Sequence, residues 1–597
     1  MHEHYPAAIM TFFDQLMLQL DEGVSGLFGQ WNAYSTLIVC LLGGFITFQA
    51  LTRREPDTHP FLLARQARGS PVRQENESPV YRSLAAPHGM PLNSGLNVKE
   101  PGASKWARGR DGDLRDIWRQ VVAGVQEDGP TKGAKGRILT VLGSEHVTEH
   151  SLDAITRQIN LIGQHILDQG GNRVGIYLPN SVELMVTLFA CAFHNLTAVI
   201  LPFDQSDESV ISMLRRSAVD TVVTAPGSFP FDHVVKSYPS LRQLIWVVDD
   251  GSAHMDWNEV PQGTGSSVNV STWQDIVNES PVDAGKELPP LAGQKEPRDV
   301  TIFWQSKPGT MEEMVRFTSA NLISAISAQL FAIPTSQRIG PSDLFLLADS
   351  LANTHTLVLT LAALFSNASV AFNSVAAQAN DLAIATRGIS PTVIVTTPAA
   401  LLKTHQEATH NGSSFIAQKL HWLQTRSLTQ SGVMPIASAL SSSYDRFRPA
   451  IGAKPGKLRL IYAAERVSAA TPPLSSQVLS DLRVFTGARV IYALTAPTVA
   501  GAATQTAFYD YRVFEDKISH FGAPLSSTEV LLRDTGDVKN EDGKSRGEVC
   551  SIPCLCPPKR QLTNSLQIVV KGPCVAGGEA ALGVNGYMRE DNTLAYL

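Results

Sequence analysis

The chain has 597 residues, of which 43% are hydrophobic and 17% are charged, and its formal net charge is −6. This length accommodates several domains with sizeable cores. So small a net charge argues against the basic surface typical of nucleic-acid-binding proteins, and no nucleic acid partner is expected. Six cysteines in so long a chain do not form a disulfide framework, which favours a reducing compartment.

The N-terminal region combines an amphipathic stripe with an uncharged apolar run. Apolar residues between Ile9 and Phe28 recur at helical spacing, which predicts an amphipathic segment over residues 1–32. Residues 33–52 are uncharged and of a length suited to crossing a bilayer, and Arg53 and Arg54 follow them. The positive-inside rule then places the body in the cytosol. We therefore expect a single-pass transmembrane helix, in the endoplasmic reticulum or the mitochondrial outer membrane, with a buried core helix as the alternative.

The remainder of the chain divides into a linker and a body. Residues 53–113 are rich in Pro, Gly, Ser and Arg and lack periodicity, which predicts an extended linker. From Leu114 onward helical and strand patterns alternate, as is typical of a layered α/β architecture. Beyond about residue 505 short strands and turns dominate. The sequence therefore predicts a large domain over 114–597 that includes a small β-rich subdomain over 505–597.

One stretch of the body, residues 171–204, has a clear strand–helix–strand pattern. Val174–Leu178 is apolar, Pro179 interrupts it, and Val182–His194 forms a long apolar run. A second apolar strand follows at Val199–Pro202. This order predicts a βαβ unit with two buried parallel strands.

Several blocks of the body resemble, in order and spacing, motifs of the adenylate-forming superfamily, which includes acyl-CoA synthetases, luciferases and peptide-synthetase adenylation domains. These blocks are residues 171–204, 304–322, 458–468, 486–501, 520–532, 547–550 and 570–590. The resemblance implies a layered α/β large domain of the acyl-adenylate-forming type. Because fold and activity are separable, it does not by itself imply catalysis.

The resemblance places the family's phosphate-binding loop at 304–322, where the chemistry has changed. Such a loop grips a triphosphate with backbone N–H groups and a lysine. Pro308 has no N–H to donate, and the family's lysine falls on Glu313, with Glu312 beside it. Two carboxylates facing a triphosphate would repel it, although Lys307 could compensate. The candidate cofactor-binding residues that remain in this degenerate loop are Ser306, Gly309 and Thr310.

The resemblance also implies a residual nucleotide pocket in two other blocks. Tyr492 would offer an aromatic face for adenine and Thr495 a hydroxyl, while Ala463 and Ala464 would leave room for a purine. The interpretation that we favour makes Tyr492 an aromatic residue at the end of a core strand. The family's magnesium-binding glutamate falls on Ala496 or Pro497, and neither side chain can ligate a hard cation. We therefore expect no catalytic residue, no metal ligand and no cofactor.

Three further features bear on activity. The sequence as given ends at Leu597, where the family's small C-terminal domain with its adenylation lysine would follow. His355 corresponds to a histidine beside the family's acyl pocket, or is simply a helix-start or core residue. Four cysteines near the C-terminus lack the paired spacing of zinc sites, so we expect them to be small buried residues. They are Cys550, Cys554, Cys556 and Cys574.

Three functional hypotheses remain. The first is a membrane-anchored pseudoenzyme of acyl-CoA synthetase type, which binds a protein partner or an acyl or lipid ligand. The second is a divergent long-chain fatty acyl-CoA ligase of fatty acid metabolism that uses ATP, Mg²⁺ and CoA. The third is a tether whose apolar stripe recruits a partner at the membrane.

Overall fold

The computed structural model describes residues 32–52, 55–100, 102–104, 106–126, 129–142, 146–248, 268–291, 295–305, 310–373, 380–435, 448–452, 456–534 and 566–596, with scattered positions between 17 and 29. The chain divides into two compact units, Met1–Pro56 and Asp57–Leu597. The boundary therefore lies near residue 56 and not at the predicted start of the body, Leu114.

The first unit contains helix α1, Ala33–Thr52, at the position of the predicted membrane span. Across the part of the chain that the structure describes, no helix is both long and apolar enough to cross a membrane. The predicted transmembrane helix is thus not supported. Most of the predicted amphipathic stripe lies outside the described residues.

The second unit is built on three sheets. The first has seven strands, and their bounds are β5 Arg173–Tyr177, β6 Thr197–Ile200, β7 Thr221–Thr224, β8 Gln243–Trp246, β9 Asn269–Thr272, β10 Val300–Trp304 and β11 Glu313–Phe317. Their spatial order is β11-β10-β6-β5-β7-β8-β9. All neighbours are parallel except the β10–β11 hairpin.

The second sheet has nine strands. Their bounds are β3 Ile138–Leu142, β4 His146–His150, β12 Leu344–Ala348, β13 Ser369–Phe372, β14 Val393–Thr396, β15 Leu460–Arg466, β16 Arg489–Thr495, β17 Thr504–Gln505 and β18 Ala523–Pro524. Their order is β18-β17-β16-β15-β14-β12-β13-β3-β4, with parallel pairing from β16 to β3. The central strands are buried on both faces, which explains their continuous Val, Ile and Leu content.

The third sheet is antiparallel and unites distant parts of the chain. Its strands are β1 Ala67–Gly69, β2 Tyr81–Ser83, β19 Glu529–Arg533, β20 Leu566–Lys571, β21 Glu579–Met588 and β22 Leu594–Tyr596, in that spatial order. Strand β2 pairs directly with β19. The segment that we expected to be an extended linker, 53–113, therefore contributes two strands to this sheet.

Helices cover the faces of the two parallel sheets. Their bounds are α2 Pro60–Ala64, α3 Leu114–Ala123, α4 Leu152–Asp168, α5 Val182–Phe193, α6 Asp207–Ser217, α7 Phe231–Ser237, α8 Trp273–Glu279, α9 Ser319–Ala332, α10 Thr354–Phe365, α11 Leu382–Ala385, α12 Pro398–Asn411, α13 Phe415–Ser431 and α14 Ser476–Thr486. Serine and threonine side chains cap many of their N-termini, as Ser181 does for α5 and Thr318 for α9.

The predicted βαβ unit is confirmed. Strand β5, helix α5 and strand β6 follow one another as expected, and the two strands are parallel neighbours. Almost the whole of α5 is buried because the helix is apolar on all sides. The predicted layered α/β fold is likewise observed. Since ligands of such folds bind beyond the carboxyl ends of parallel strands, those ends are the place to look for a site.

Candidate functional site

The candidate site lies at the carboxyl ends of strands from both parallel sheets. Trp304 is the last residue of β10, Asp349 follows β12, and Arg466 and Thr495 end β15 and β16 as directly paired neighbours. The Arg466 guanidinium lies over the Trp304 ring, 4.3 Å from its centre. One arginine therefore joins the two sheets where the resemblance implies a nucleotide.

The side chain of Tyr492, the predicted adenine platform, is committed to the core. It is fully buried and its ring packs against Phe521 with 5.2 Å between ring centres. Its hydroxyl donates to Glu465 Oε2 at 2.7 Å and accepts from the backbone N–H of Leu474 at 3.0 Å. Because its hydroxyl already donates one hydrogen bond and accepts another, and because its ring is fully buried, Tyr492 has no free surface for a purine.

Glu465, near the end of β15, is a buried carboxyl group beside this tyrosine. Only 2% of the residue is exposed, and burial raises the pKa of its carboxyl to about 7, although the Tyr492 hydrogen bond opposes that shift. The Tyr596 hydroxyl is also buried, and burial together with the Glu465 charge raises its pKa. The end of β15 thus carries a carboxyl group that titrates near neutral pH.

Arg466 makes its other contacts with the strand end that leads into the phosphate loop. Its Nη2 donates to the backbone carbonyl of Gln305 at 2.9 Å. Burial lowers the pKa of Arg466, and the negative charge of Asp349 raises it. Burial in turn raises the pKa of Asp349, while hydrogen bonds from Thr356, the Ser350 backbone and Asn353 lower it. A cation over an aromatic ring is a favourable local contact. The Nε of Arg466 is nevertheless buried without a hydrogen-bond partner among the described residues.

The remaining predicted pocket residues are also interior. Ala463 is fully buried and Ala464 is partly buried, in register with Tyr492 and Ala493 respectively. The Thr495 hydroxyl donates to the backbone carbonyl of Glu465 at 2.9 Å, and so it serves strand pairing. The four predicted residues, Tyr492, Thr495, Ala463 and Ala464, therefore lie together on adjacent strands, within a packed region.

The structure describes only part of the predicted phosphate loop. Ser306, Lys307, Pro308 and Gly309 lie outside the described residues, and Thr310 is exposed. Gln305 Nε2 approaches the Thr310 carbonyl at 3.4 Å. The loop thus lies between the two paired strands of the β10–β11 hairpin.

The expectation that two carboxylates face a triphosphate is wrong for Glu312. That residue is only 4% exposed, and its carboxylate lies 3.6 Å from Arg216 Nη1, on α6. Arg216 Nη2 also donates to the Glu312 carbonyl, and its guanidinium lies over the Phe303 ring. Burial of a carboxylate requires a partner, and Arg216 supplies it. Glu313 is exposed and begins β11, opposite Trp304.

Two other residues considered in the sequence, His355 and Cys574, are buried in the protein interior. His355 is 3% exposed in α10, edge-on to Tyr462, and burial lowers its pKa to about 4. The thiol of Cys574 is buried and lies 3.5 Å from the Ser527 carbonyl. The other three cysteines of the C-terminal cluster, Cys550, Cys554 and Cys556, lie outside the described residues. Within the ranges that the structure describes, no three His, Cys, Asp or Glu side chains gather as a metal site.

Sequence reasoning missed Trp304, Asp349 and Arg466 as members of this site. A signal existed, since each ends or directly follows an apolar strand. What the sequence does not contain is which strand ends meet, because β10 belongs to one sheet and β12 and β15 belong to another.

Comparison with known proteins supports the predicted ancestry. A family model described as AMP-binding enzyme matches residues 145–303. The uncharacterized protein YHR045W of Saccharomyces cerevisiae is 22% identical over 527 residues, which cover 84% of this chain and 86% of that protein.

Solved structures extend the likeness to the fold. An anthranilate CoA ligase, AuaEII, in complex with anthranoyl-AMP has a TM-score of 0.55 at 13% identity, over 81% of this chain and 77% of that one. A benzoate CoA ligase from Burkholderia xenovorans has a TM-score of 0.51 at 13% identity, over 81% and 79%. At these identities the likeness establishes the fold.

Proposed function

We propose that this chain is a pseudoenzyme of the adenylate-forming superfamily, which acts by binding. Its fold and its family match over residues 145–303 support this proposal. The occupant would be a protein partner or an acyl or lipid ligand, and no cofactor is required. One observation carries the proposal: the strand ends that would meet a nucleotide are filled by the chain's own side chains.

Part of this filling is hydrogen-bonded within the chain, although the buried Nε of Arg466 and Nε1 of Trp304 have no partner among the described residues. Tyr492 and Glu465 satisfy one another at 2.7 Å, and Arg466 is enclosed by Trp304 and the Gln305 carbonyl. A nucleotide would have to break these contacts in a buried setting, where an unpaired polar group is costly. A site prepared for catalysis would instead leave its donors directed at the reacting phosphate.

Local charge supports the same conclusion. Glu313, at the position of the family's lysine, is exposed beside the loop, whereas the Glu312 carboxylate is held by Arg216. The approach to the loop therefore carries one exposed carboxylate from this pair. A carboxylate in place of an ammonium reverses the sign of the interaction with a phosphate. Ala496, at one of the two positions for the magnesium ligand, is buried and has no side-chain oxygen to offer.

The test is calorimetric titration of the full chain with ATP and Mg²⁺, together with pyrophosphate release over a panel of carboxylic acids with CoA. We expect neither saturable binding in the micromolar range nor release above a protein-free blank. Glu313→Lys tests whether the missing cation alone is responsible, with Glu149→Lys as an exposed control. We expect both variants to remain inactive because the strand ends stay filled.

Micromolar, Mg²⁺-dependent ATP binding by the unaltered chain would contradict the proposal, and acid-dependent pyrophosphate release would establish the alternative. That alternative is a divergent long-chain fatty acyl-CoA ligase that uses ATP, Mg²⁺ and CoA. It is favoured by the family match, which includes β5, α5 and β6, and by solved relatives described as CoA ligases.

A further inference from the structure

A second concave feature of the seven-stranded sheet lies at the ends of the strands that are opposite to the candidate site. A cavity of about 220 Å³ is lined by Arg173, Thr197, Arg298, Asp299, Thr301 and Arg316. Arg173 and Thr197 begin β5 and β6, and Thr301 is the second residue of β10. Because Trp304 is at the other end of β10, this cavity is separate from the candidate site.

The strand register brings four of these side chains to one face of the sheet. Arg173 is paired with Thr197, and Thr301 is paired with both Val199 and Arg316. Residues two apart on a strand share a face, so Thr197 and Val199 point the same way. Arg173, Thr197, Thr301 and Arg316 therefore line the cavity from four adjacent strands.

The charge of the cavity is positive. Three guanidinium groups, those of Arg173, Arg298 and Arg316, face one carboxylate of the lining, Asp299. Arg298 donates to the Asn172 side-chain carbonyl at 2.7 Å. Another nearby carboxylate, Asp220, accepts from the backbone N–H groups of Asn172 and Arg173. Across the described residues, none of the three guanidinium groups is within ion-pair distance of a carboxylate.

Unsatisfied buried donors indicate what the cavity lacks. Thr301 is fully buried, and its hydroxyl has no hydrogen-bond partner among the described residues. The buried Nε of Arg173 also has none there. Buried polar groups are almost always paired, so two orphaned donors beside one cavity need an explanation. An oxyanion would accept from both, because guanidinium groups bind phosphate oxygens in pairs and a hydroxyl can complete the set.

We propose that this cavity binds a small tetrahedral oxyanion of phosphoryl chemistry, held by Arg173, Arg298, Arg316 and the Thr301 hydroxyl. The anion is either free phosphate or the phosphoryl group of a larger ester. The three guanidinium groups supply the attraction that Asp299 alone does not neutralise. This site is independent of the proposed function, since it does not share a residue with the strand ends around Tyr492.

The experiment titrates the full chain with inorganic phosphate and with glycerol 3-phosphate at low ionic strength, against chloride at matched ionic strength. We expect saturable binding, and we expect Arg316→Gln to weaken it about tenfold because one charge-assisted contact is lost. Arg387→Gln, an exposed arginine elsewhere in the same unit, is the matched control and should leave the affinity unchanged. Tighter binding of the ester than of phosphate supports a phosphoester as the ligand, and equal binding supports the free anion.

Thr301→Val separates binding from folding. The substitution keeps the shape of a strand residue and removes an unpaired hydroxyl, so the phosphate-free melting temperature should stay constant or rise. Phosphate affinity should nevertheless fall. The proposal is overturned if the unaltered chain shows no saturable response up to about ten millimolar phosphate. It is equally overturned if Arg316→Gln and Thr301→Val bind phosphate as the Arg387→Gln control does.

Discussion

Asp510→Asn is expected to lower the free energy of unfolding by about 3 kcal/mol, because it removes the charge from a buried ion-pair network. Asp510 is 3% exposed. Its carboxylate accepts from Arg512 Nε and Nη2 at 2.8 and 2.6 Å, and from Gln66 Nε2 at 2.6 Å. Arg512 also pairs with Asp591 at 2.8 Å. Asp510 thus connects the segment before α3 to the C-terminal sheet.

The same network predicts a pH dependence. Burial by itself would raise the pKa of Asp510, but the hydrogen bonds of Arg512 and Gln66 and the charge of His520 lower it from 3.8 to about 2. Since the folded state binds this proton less readily, its contribution is fully present above pH 4 and is lost as the pH falls toward 2. Urea denaturation at pH 7 and at low pH measures both effects.

The control for this substitution is Asp283→Asn, the same chemical change at an exposed pair. Asp283 contacts Lys286 at 2.7 Å, but its side chain is 94% exposed. Exposed pairs contribute about 0–1 kcal/mol. If Asp510→Asn costs no more than Asp283→Asn, the buried network does not hold the segment in place.

Glu465→Gln is expected to stabilise the protein at pH 8, by up to about 3 kcal/mol. Burial raises the pKa of Glu465 from 4.5 to about 7, and each pKa unit corresponds to about 1.4 kcal/mol. Glutamine keeps the size of the side chain and an oxygen that can accept from Tyr492. It removes only the cost of holding a charge in the interior at high pH.

The direction of this pH dependence of the free energy of unfolding follows from proton binding. Between pH 4.5 and 7 the folded state holds a proton on Glu465 that the unfolded state has released, so stability falls as pH rises through this window. The gain from Glu465→Gln should therefore be absent below pH 4.5 and complete above pH 7. Denaturation of variant and unaltered chain at several pH values gives the difference directly.

The stability of the variant must be compared with that of the unaltered chain at each pH, because His355 changes the stability with pH in the opposite direction. Its pKa is lowered from 6.5 to about 4 by burial, so its contribution is lost as pH falls through that range. Subtracting the unaltered chain removes this common effect. Glu313→Gln, the same change at an exposed position, is the matched control. A gain from Glu465→Gln that is constant from pH 4 to 8 would mean that this carboxyl group does not titrate near neutrality.

Predictions from the sequence were wrong where the interacting residues are far apart along the chain. The segment 53–113 was expected to be a linker because it is rich in Pro, Gly, Ser and Arg and lacks periodicity. Its strands β1 and β2 have only three residues each, too few to show a period of two. Its order comes from long-range contacts such as Ser78 with Leu532 and Gln66 with Asp510. Glu312 was assigned to the phosphate loop by its position, but its partner, Arg216, lies on a helix about a hundred residues earlier.

By itself the sequence determined the α/β class and the βαβ unit, and it showed the resemblance to the adenylate-forming superfamily, because apolar periodicity and motif order are properties of neighbouring residues. The tertiary structure alone decided that Tyr492 bonds to Glu465 and that Arg466 stacks on Trp304. It likewise decided that three arginines face one cavity. The physical reason is that burial and pairing of polar side chains depend on which strand ends meet, and the pairing of strands across two sheets is not encoded in any local pattern.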